Sequence, residues 1–94
     1  GPPLVAAPRF RRPPRPPAYP ARAIELDLTG TVVIRALLDP RGDPTETRVE
    51  RSSGHAILDA AALAAVRGWA FEPAWRDGQA IAAWVEVPVH FRLR

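Results

Sequence analysis

Eight of the twelve prolines in this chain lie at or before Pro20: Pro2, Pro3, Pro8, Pro13, Pro14, Pro16, Pro17 and Pro20. Such a density removes backbone donors from helix and sheet alike and favours an extended polyproline II arm. The sequence therefore divides into a Pro/Arg-rich spacer over residues 1–18, expected to be disordered and dispensable for folding, and a globular domain over 19–94. Gly1-Pro2 resembles the scar of a protease cleavage, which points to a fragment of a longer chain. A domain of this size buries only about 60% of its unfolded surface and is marginal in stability. With no cysteine, disulfides neither staple it nor report its compartment.

Charge follows the same division. The first 22 residues carry five arginines (Arg9, Arg11, Arg12, Arg15, Arg22) and no acid, a net of +5; the other 72 carry eight arginines against ten acids, a net of −2. The basic excess belongs to the arm. All thirteen basic residues are arginine, which reads as a codon bias before it reads as chemistry. No apolar run approaches the ~20 residues that span a bilayer, and no signal peptide is present. As a spacer the arm would extend ~3.1 Å per residue; as a cation it would recruit anionic surfaces. Nucleic-acid binding is disfavoured, since neither a reading motif nor an aromatic stacking platform accompanies the arginines.

Within the domain, Pro20 is placed to open a short helix over Ala21 to Leu28, with Ala23, Ile24 and Leu28 on the buried side and Gly30 as its stop. Thr31 to Leu38 alternates as a strand with Val32, Ile34, Ala36 and Leu38 inward. Asp39-Pro40-Arg41-Gly42-Asp43 supplies hairpin chemistry. A more polar strand runs from about Pro44 to Arg51, with Thr47 and Val49 as core candidates. Ser52 or Ser53 is the expected N-cap of an Ala-rich helix burying Leu58, Ala62, Ala65, Val66 and Trp69. Phe71 joins Trp69 as expected core. In the last strand, Ile81 to Leu93, odd residues face the core and even ones face away.

Connectivity sets the fold class: α+β, a three-stranded antiparallel sheet of order 2-1-3, with the Ala-rich helix and the short N-terminal helix on one face. The last strand is then a long, apolar, lysine-free edge of the kind that proteins protect. Such an edge suits an incoming strand held by main-chain hydrogen bonds. It is equally consistent with an ordinary edge blunted by Pro88 and Glu86, or with a homodimer contact. Pro88 has no N–H and belongs on the outward side, so the even residues Ala82, Trp84, Glu86, Pro88 and His90 offer their backbone to a partner while odd ones hold the sheet. Trp84 shares its face with Val33, Arg35 and Leu37, where it is expected to pack either on a binding partner or, the reading favoured by the cost of an uncovered patch, on Tyr19 and Phe10 of the arm.

Catalysis finds no support. His55 and His90 lie in different elements without ligand spacing to an acidic cluster, so no metal is expected. Ser52, Ser53, His55 and Asp59 are better explained by helix capping than as a nucleophile set. No Gly-rich phosphate loop or other cofactor motif is present.

The stretch Ser53-Gly54-His55-Ala56-Ile57-Leu58-Asp59, the Ala-rich helix ending in Trp69, Phe71-Glu72-Pro73, and Val87-Pro88-Val89-His90-Phe91 follow Tyr19-Pro20 and the Gly30-Thr31-Val32 hairpin strand in a fixed order across residues 19–93. This set resembles the C-terminal periplasmic domain of TonB-type energy transducers. The resemblance implies capture of the N-terminal TonB box of outer-membrane TonB-dependent receptors on the final strand, with Tyr19 and Pro20 receptor-proximal. Pro16 stands where some members carry a polar residue. It also implies an inner-membrane anchor in a Gram-negative bacterium and an ExbB–ExbD partner complex contacted by segments outside this sequence, driving nutrient import. A different class on the same small fold, a TolA-like envelope linker or the sensor tail of a membrane protease, is the alternative.

Overall fold

Alternating β-branched residues build the centre of the molecule. In the computed structural model, which describes residues 1–5 and 8–94, the elements run β1 (Leu4–Val5), α1 (Ala21–Glu25), β2 (Gly30–Leu38), β3 (Pro44–Arg51), α2 (Ala56–Arg67), β4 (Ala74–Arg76), β5 (Gln79–Ile81) and β6 (Ala83–Phe91). The inward residues of β2 (Val32, Ile34, Ala36, Leu38) and of β6 (Ala83, Val85, Val87, Val89, Phe91) are all buried. They meet Leu58, Ala62 and Val66 of α2 and Phe71 just beyond it. Alanine at 62 leaves the helix backbone close to the sheet, so a narrow apolar stripe suffices to close the core.

The expected sheet is present but incomplete. β3, β2 and β6 are neighbours in that order and antiparallel, which is the predicted 2-1-3 arrangement. A fourth strand from the arm extends it to β1-β6-β2-β3, with β1 parallel to β6. The last strand is therefore not wholly an edge. It is also shorter than the predicted Ile81–Leu93 run, because Gln79–Ile81 pairs with Ala74–Arg76 in a separate hairpin. Asp77 (φ 51°) and Gly78 (φ 79°) turn that hairpin, and left-handed dihedrals at both central positions suit a two-residue connection.

The arm, expected as a disordered spacer over 1–18, lies against the fold. Arg11 N donates to Ala70 O (2.9 Å) and Glu72 N to Arg9 O (2.8 Å), flanking an antiparallel bridge between Phe10 and Phe71. The Arg11 guanidinium donates to Phe71 O (3.0 Å) and to Asp43 Oδ1 (2.6 Å). Prolines cannot donate, but the residues between them can, and one bulky apolar residue per contact fixes the arm's path. Arg11 beside Asp43, reinforced by Arg41, holds that carboxyl below its ordinary range against a smaller opposing effect of desolvation.

Helix ends differ in detail from expectation. α1 stops at Glu25, and Asp27 takes a left-handed φ of 54° so that Leu28 N can reach Ala23 O (2.8 Å). Ala23 is buried as expected, but Ile24 is exposed and Leu28 is only half-buried. The N-cap of α2 is His55, not Ser52 or Ser53. The serines act on Asp59 instead, which accepts from Ser52 Oγ, Ser53 N (2.9 Å) and Ser53 Oγ (2.7 Å) and so clamps the loop to the first turns of the helix.

This clamp has a pH signature. Desolvation raises the Asp59 carboxyl, but the serine hydrogen bonds and the neighbouring His55 outweigh it, leaving the folded value lowered. The stability it adds is complete above the unfolded carboxylate value of about 3.9 and is lost as pH falls through the lower folded value. Thermal melts of the parent chain and Asp59→Asn should therefore converge once the pH falls below the lowered folded value, with the parent more stable near neutrality. Parallel curves at all pH values would show that the clamp carries no linkage.

Candidate functional site

A strand shows its partners through its backbone, and one hydrogen bond sets the parity of β6. Trp84 N donates to Pro3 O at 2.7 Å, so Trp84 turns its backbone away from β2 and towards the arm. Successive residues alternate, so Glu86, Pro88 and His90 turn outward with Trp84. Odd residues face β2, where Val85, Val87 and Val89 pair with Ala36, Ile34 and Val32. Pro88 sits in the outward set opposite Val33, where its missing N–H takes nothing from the central ladder.

The side chains of this outward set lie on the sheet face opposite α2. Trp84 is half-buried with the Arg48 guanidinium 5.1 Å from its ring centroid. Glu86 accepts from Arg35 Nε (3.0 Å) and from Arg35 Nη2, and Arg35 also approaches Glu50 (3.5 Å). These contacts, the Glu86 hydrogen bond foremost, favour the charged guanidinium and raise its already high pKa. Pro88 is exposed, and His90 Nδ1 lies 2.9 Å from Thr31 Oγ1. The face is thus a band of paired charges around one tryptophan, with the backbone of β6 along its rim.

The remaining predicted residues fall elsewhere. Ala82 lies half-buried between β5 and β6, outside both strands. Tyr19 donates its hydroxyl hydrogen to Leu28 O and stacks edge-on against Phe91 (5.3 Å, 88°), and Pro20 is the N-cap of α1. Phe91 is seven residues from Trp84 along β6, or about 23 Å. Tyr19-Pro20 and Trp84 therefore mark opposite ends of the strand and do not form one pocket. The expected cover of Trp84 by Tyr19 and Phe10 is also absent. Phe10 packs on Phe71 (5.0 Å) and Trp69 (5.7 Å), on the other side of the sheet. Trp69, expected as core, is half-buried and gives its indole N–H to Arg15 O (2.8 Å). The fully buried anchor is Phe71.

Sequence reasoning missed Pro3, Leu4 and Val5. No periodicity marks two apolar residues between prolines, so nothing in the arm announced a strand.

A Tyr-Pro entry, an antiparallel hairpin crossed by an Ala-rich helix, and a Val-Pro strand form one pattern. A family model described as Gram-negative bacterial TonB protein C-terminal matches residues 15–93. The chain belongs to this family. It is 44% identical over 77 residues to Protein tonB2 of Pseudomonas aeruginosa, covering 82% of this chain and 28% of that protein. It is 40% identical over 78 residues to Protein TonB of Xanthomonas campestris (83% and 35% covered), and 35% identical over 77 residues to Protein TonB of Vibrio cholerae (82% and 32%). This TonB C-terminal domain thus spans about a third of the length of those relatives. The solution NMR structure of the Pseudomonas aeruginosa TonB C-terminal domain shares its fold, with a TM-score of 0.72 at 23% identity over 93% of this chain and 85% of that one.

Proposed function

We propose that this domain is the receptor-gripping end of a TonB-type energy transducer. In this reading it stands in the periplasm of a Gram-negative bacterium and adds the N-terminal TonB box of an outer-membrane TonB-dependent receptor as a strand on β6. Work derived from the proton-motive force, supplied by an ExbB–ExbD complex through an inner-membrane anchor and spacer beyond this segment, then pulls the receptor open for nutrient import. The observation that carries it is the outward backbone set Trp84, Glu86, Pro88 and His90, one member of which already bonds to an added strand. Main-chain bonds of this kind give affinity with little dependence on ligand side chains, as one domain serving several receptors requires.

The test is a titration of isotope-labelled domain with the N-terminal segment of a TonB-dependent receptor. The largest amide shift changes should fall on Trp84, Glu86 and His90, with Tyr19 and the surface of α2 much less affected. Changes centred on α2, or none at millimolar peptide, would overturn the proposal.

A further inference from the structure

The strand that already occupies β6 is part of the same chain. β1 pairs parallel to β6 with Leu4 opposite Trp84 and Val5 opposite Val85, and the Trp84 N–H is committed to Pro3 O. The opposite side of β6 is taken by β2 along its whole length, Gly30–Leu38 against Ala83–Phe91. The other rim of the sheet is β3, whose exposed Glu46, Arg48, Glu50 and Arg51 make a charged edge that discourages strand addition. An incoming apolar strand and β1 therefore require the same backbone groups at Trp84, and one N–H cannot serve both.

From this we infer that the arm is a self-ligand: residues 3–5 occupy the strand-addition site and must leave before a receptor segment can bind there. The inference rests on the strand-addition reading above. Three features suit the arm to reversible occupancy. The strand is two residues long, and Leu4 stays 53% exposed, so little holds it. Val5 alone reaches the core side, into a cleft lined by Leu38, Pro73, Ala74 and Val85 together with the charged Arg9 and Glu72. The tether behind it is pinned at Phe10–Phe71 and Arg11–Asp43, which keeps the strand at high local concentration after release. The same geometry describes what displaces it: an extended segment parallel to β6, with a carbonyl for Trp84 N–H and, two residues on, a small branched apolar side chain for the Val5 cleft.

Alternate residues of a strand face the same neighbour, so Val5, like Pro3, turns its backbone to β6. Val5→Pro removes that N–H and keeps an apolar side chain; Val5→Asp charges the cleft. Both are made in the full 94-residue chain. Two measurements decide the matter. In hydrogen exchange without ligand, the Trp84 amide should exchange at least about tenfold faster in both variants, while Val85 and Val87, which face β2, stay protected. With the receptor segment used above, both variants should bind about tenfold tighter than the parent, the gain expected when a site free one-tenth of the time is made fully available. Unchanged Trp84 exchange, or faster exchange with unchanged affinity, overturns the self-ligand. Should the receptor segment bind neither form, the receptor reading fails, and a synthetic peptide of residues 1–8 judges the self-ligand: it must shift the Trp84 amide in the variants and not in the parent, and the absence of any difference overturns it.

Discussion

Alanine at position 42 is expected to unfold this domain. Gly42 sits in the β2–β3 turn with a φ of +90°, where a side chain is strained, and it is buried. Its N–H is donated to Asp39 O (2.9 Å), and its own carbonyl accepts from Phe71 N (3.0 Å), so the turn lies directly on the exit of α2. A Cβ there would fall far inside contact of Phe71 O, 2.8 Å from the Phe71 carbonyl carbon and 2.9 Å from Arg11 Nη1. The first two obstacles are backbone, held by the buried Phe71 ring, and cannot move aside as a flexible side-chain tip would. Left-handed strain alone costs about 1–3 kcal/mol. Separating the turn from Phe71 adds a lost buried hydrogen bond, about 1–3 kcal/mol. Against the ~5–15 kcal/mol that holds a typical domain, and the low end of that range for one this small, the sum removes most of the margin. Far-ultraviolet circular dichroism should show loss of the cooperative melt for Gly42→Ala. A midpoint within a few degrees of the parent would mean that the turn and Phe71 are not locked together.

The same contact shows where the sequence was legible and where it was not. Strand alternation in Val32–Leu38 and Ala83–Phe91 displays which side chains share a face, because period two is a local property, and the structure buries that set. Asp39–Asp43 and Asp77-Gly78 announced turns through local dihedral preference. The approach of Gly42 to Phe71 is a meeting of segments 29 positions apart, invisible to any window. Trp69 illustrates a second limit: it is in phase with Leu58, Ala62 and Val66, but α2 ends at Arg67, and beyond Gly68 helical phase no longer governs direction. Its ring therefore turns to the arm. Of the candidate site, the outward parity of β6 was readable from Pro88 alone, since a proline in a sheet must face away from the ladder. What occupies that side was not, because Leu4-Val5 lies among prolines that read as unstructured.

Parity yields the sharpest contrast between neighbouring positions. Val87→Pro should abolish folding, and Glu86→Pro should leave the domain folded. Val87 is 5% exposed and pairs with Ile34 in the centre of the sheet, facing β2. Proline there deletes a ladder donor, strands the opposing carbonyl at about 1–3 kcal/mol, and sets a ring against the next strand. Glu86 has the parity of Pro88, which the sheet already tolerates two residues on. Its substitution removes an outward N–H and the half-exposed ion pair to Arg35, whose guanidinium keeps Glu50 nearby; solvent screens such a pair, so its loss costs little. The melt of Glu86→Pro should thus stay cooperative, a few degrees lower at most. Its affinity for a receptor N-terminal segment should fall about fivefold, since one outward donor is lost and a typical hydrogen bond contributes about 1 kcal/mol. Two folded variants, or two unfolded ones, would mean that β6 does not divide its backbone between β2 and an incoming strand. A folded Glu86→Pro with full affinity would keep the fold and remove Glu86 from the binding edge.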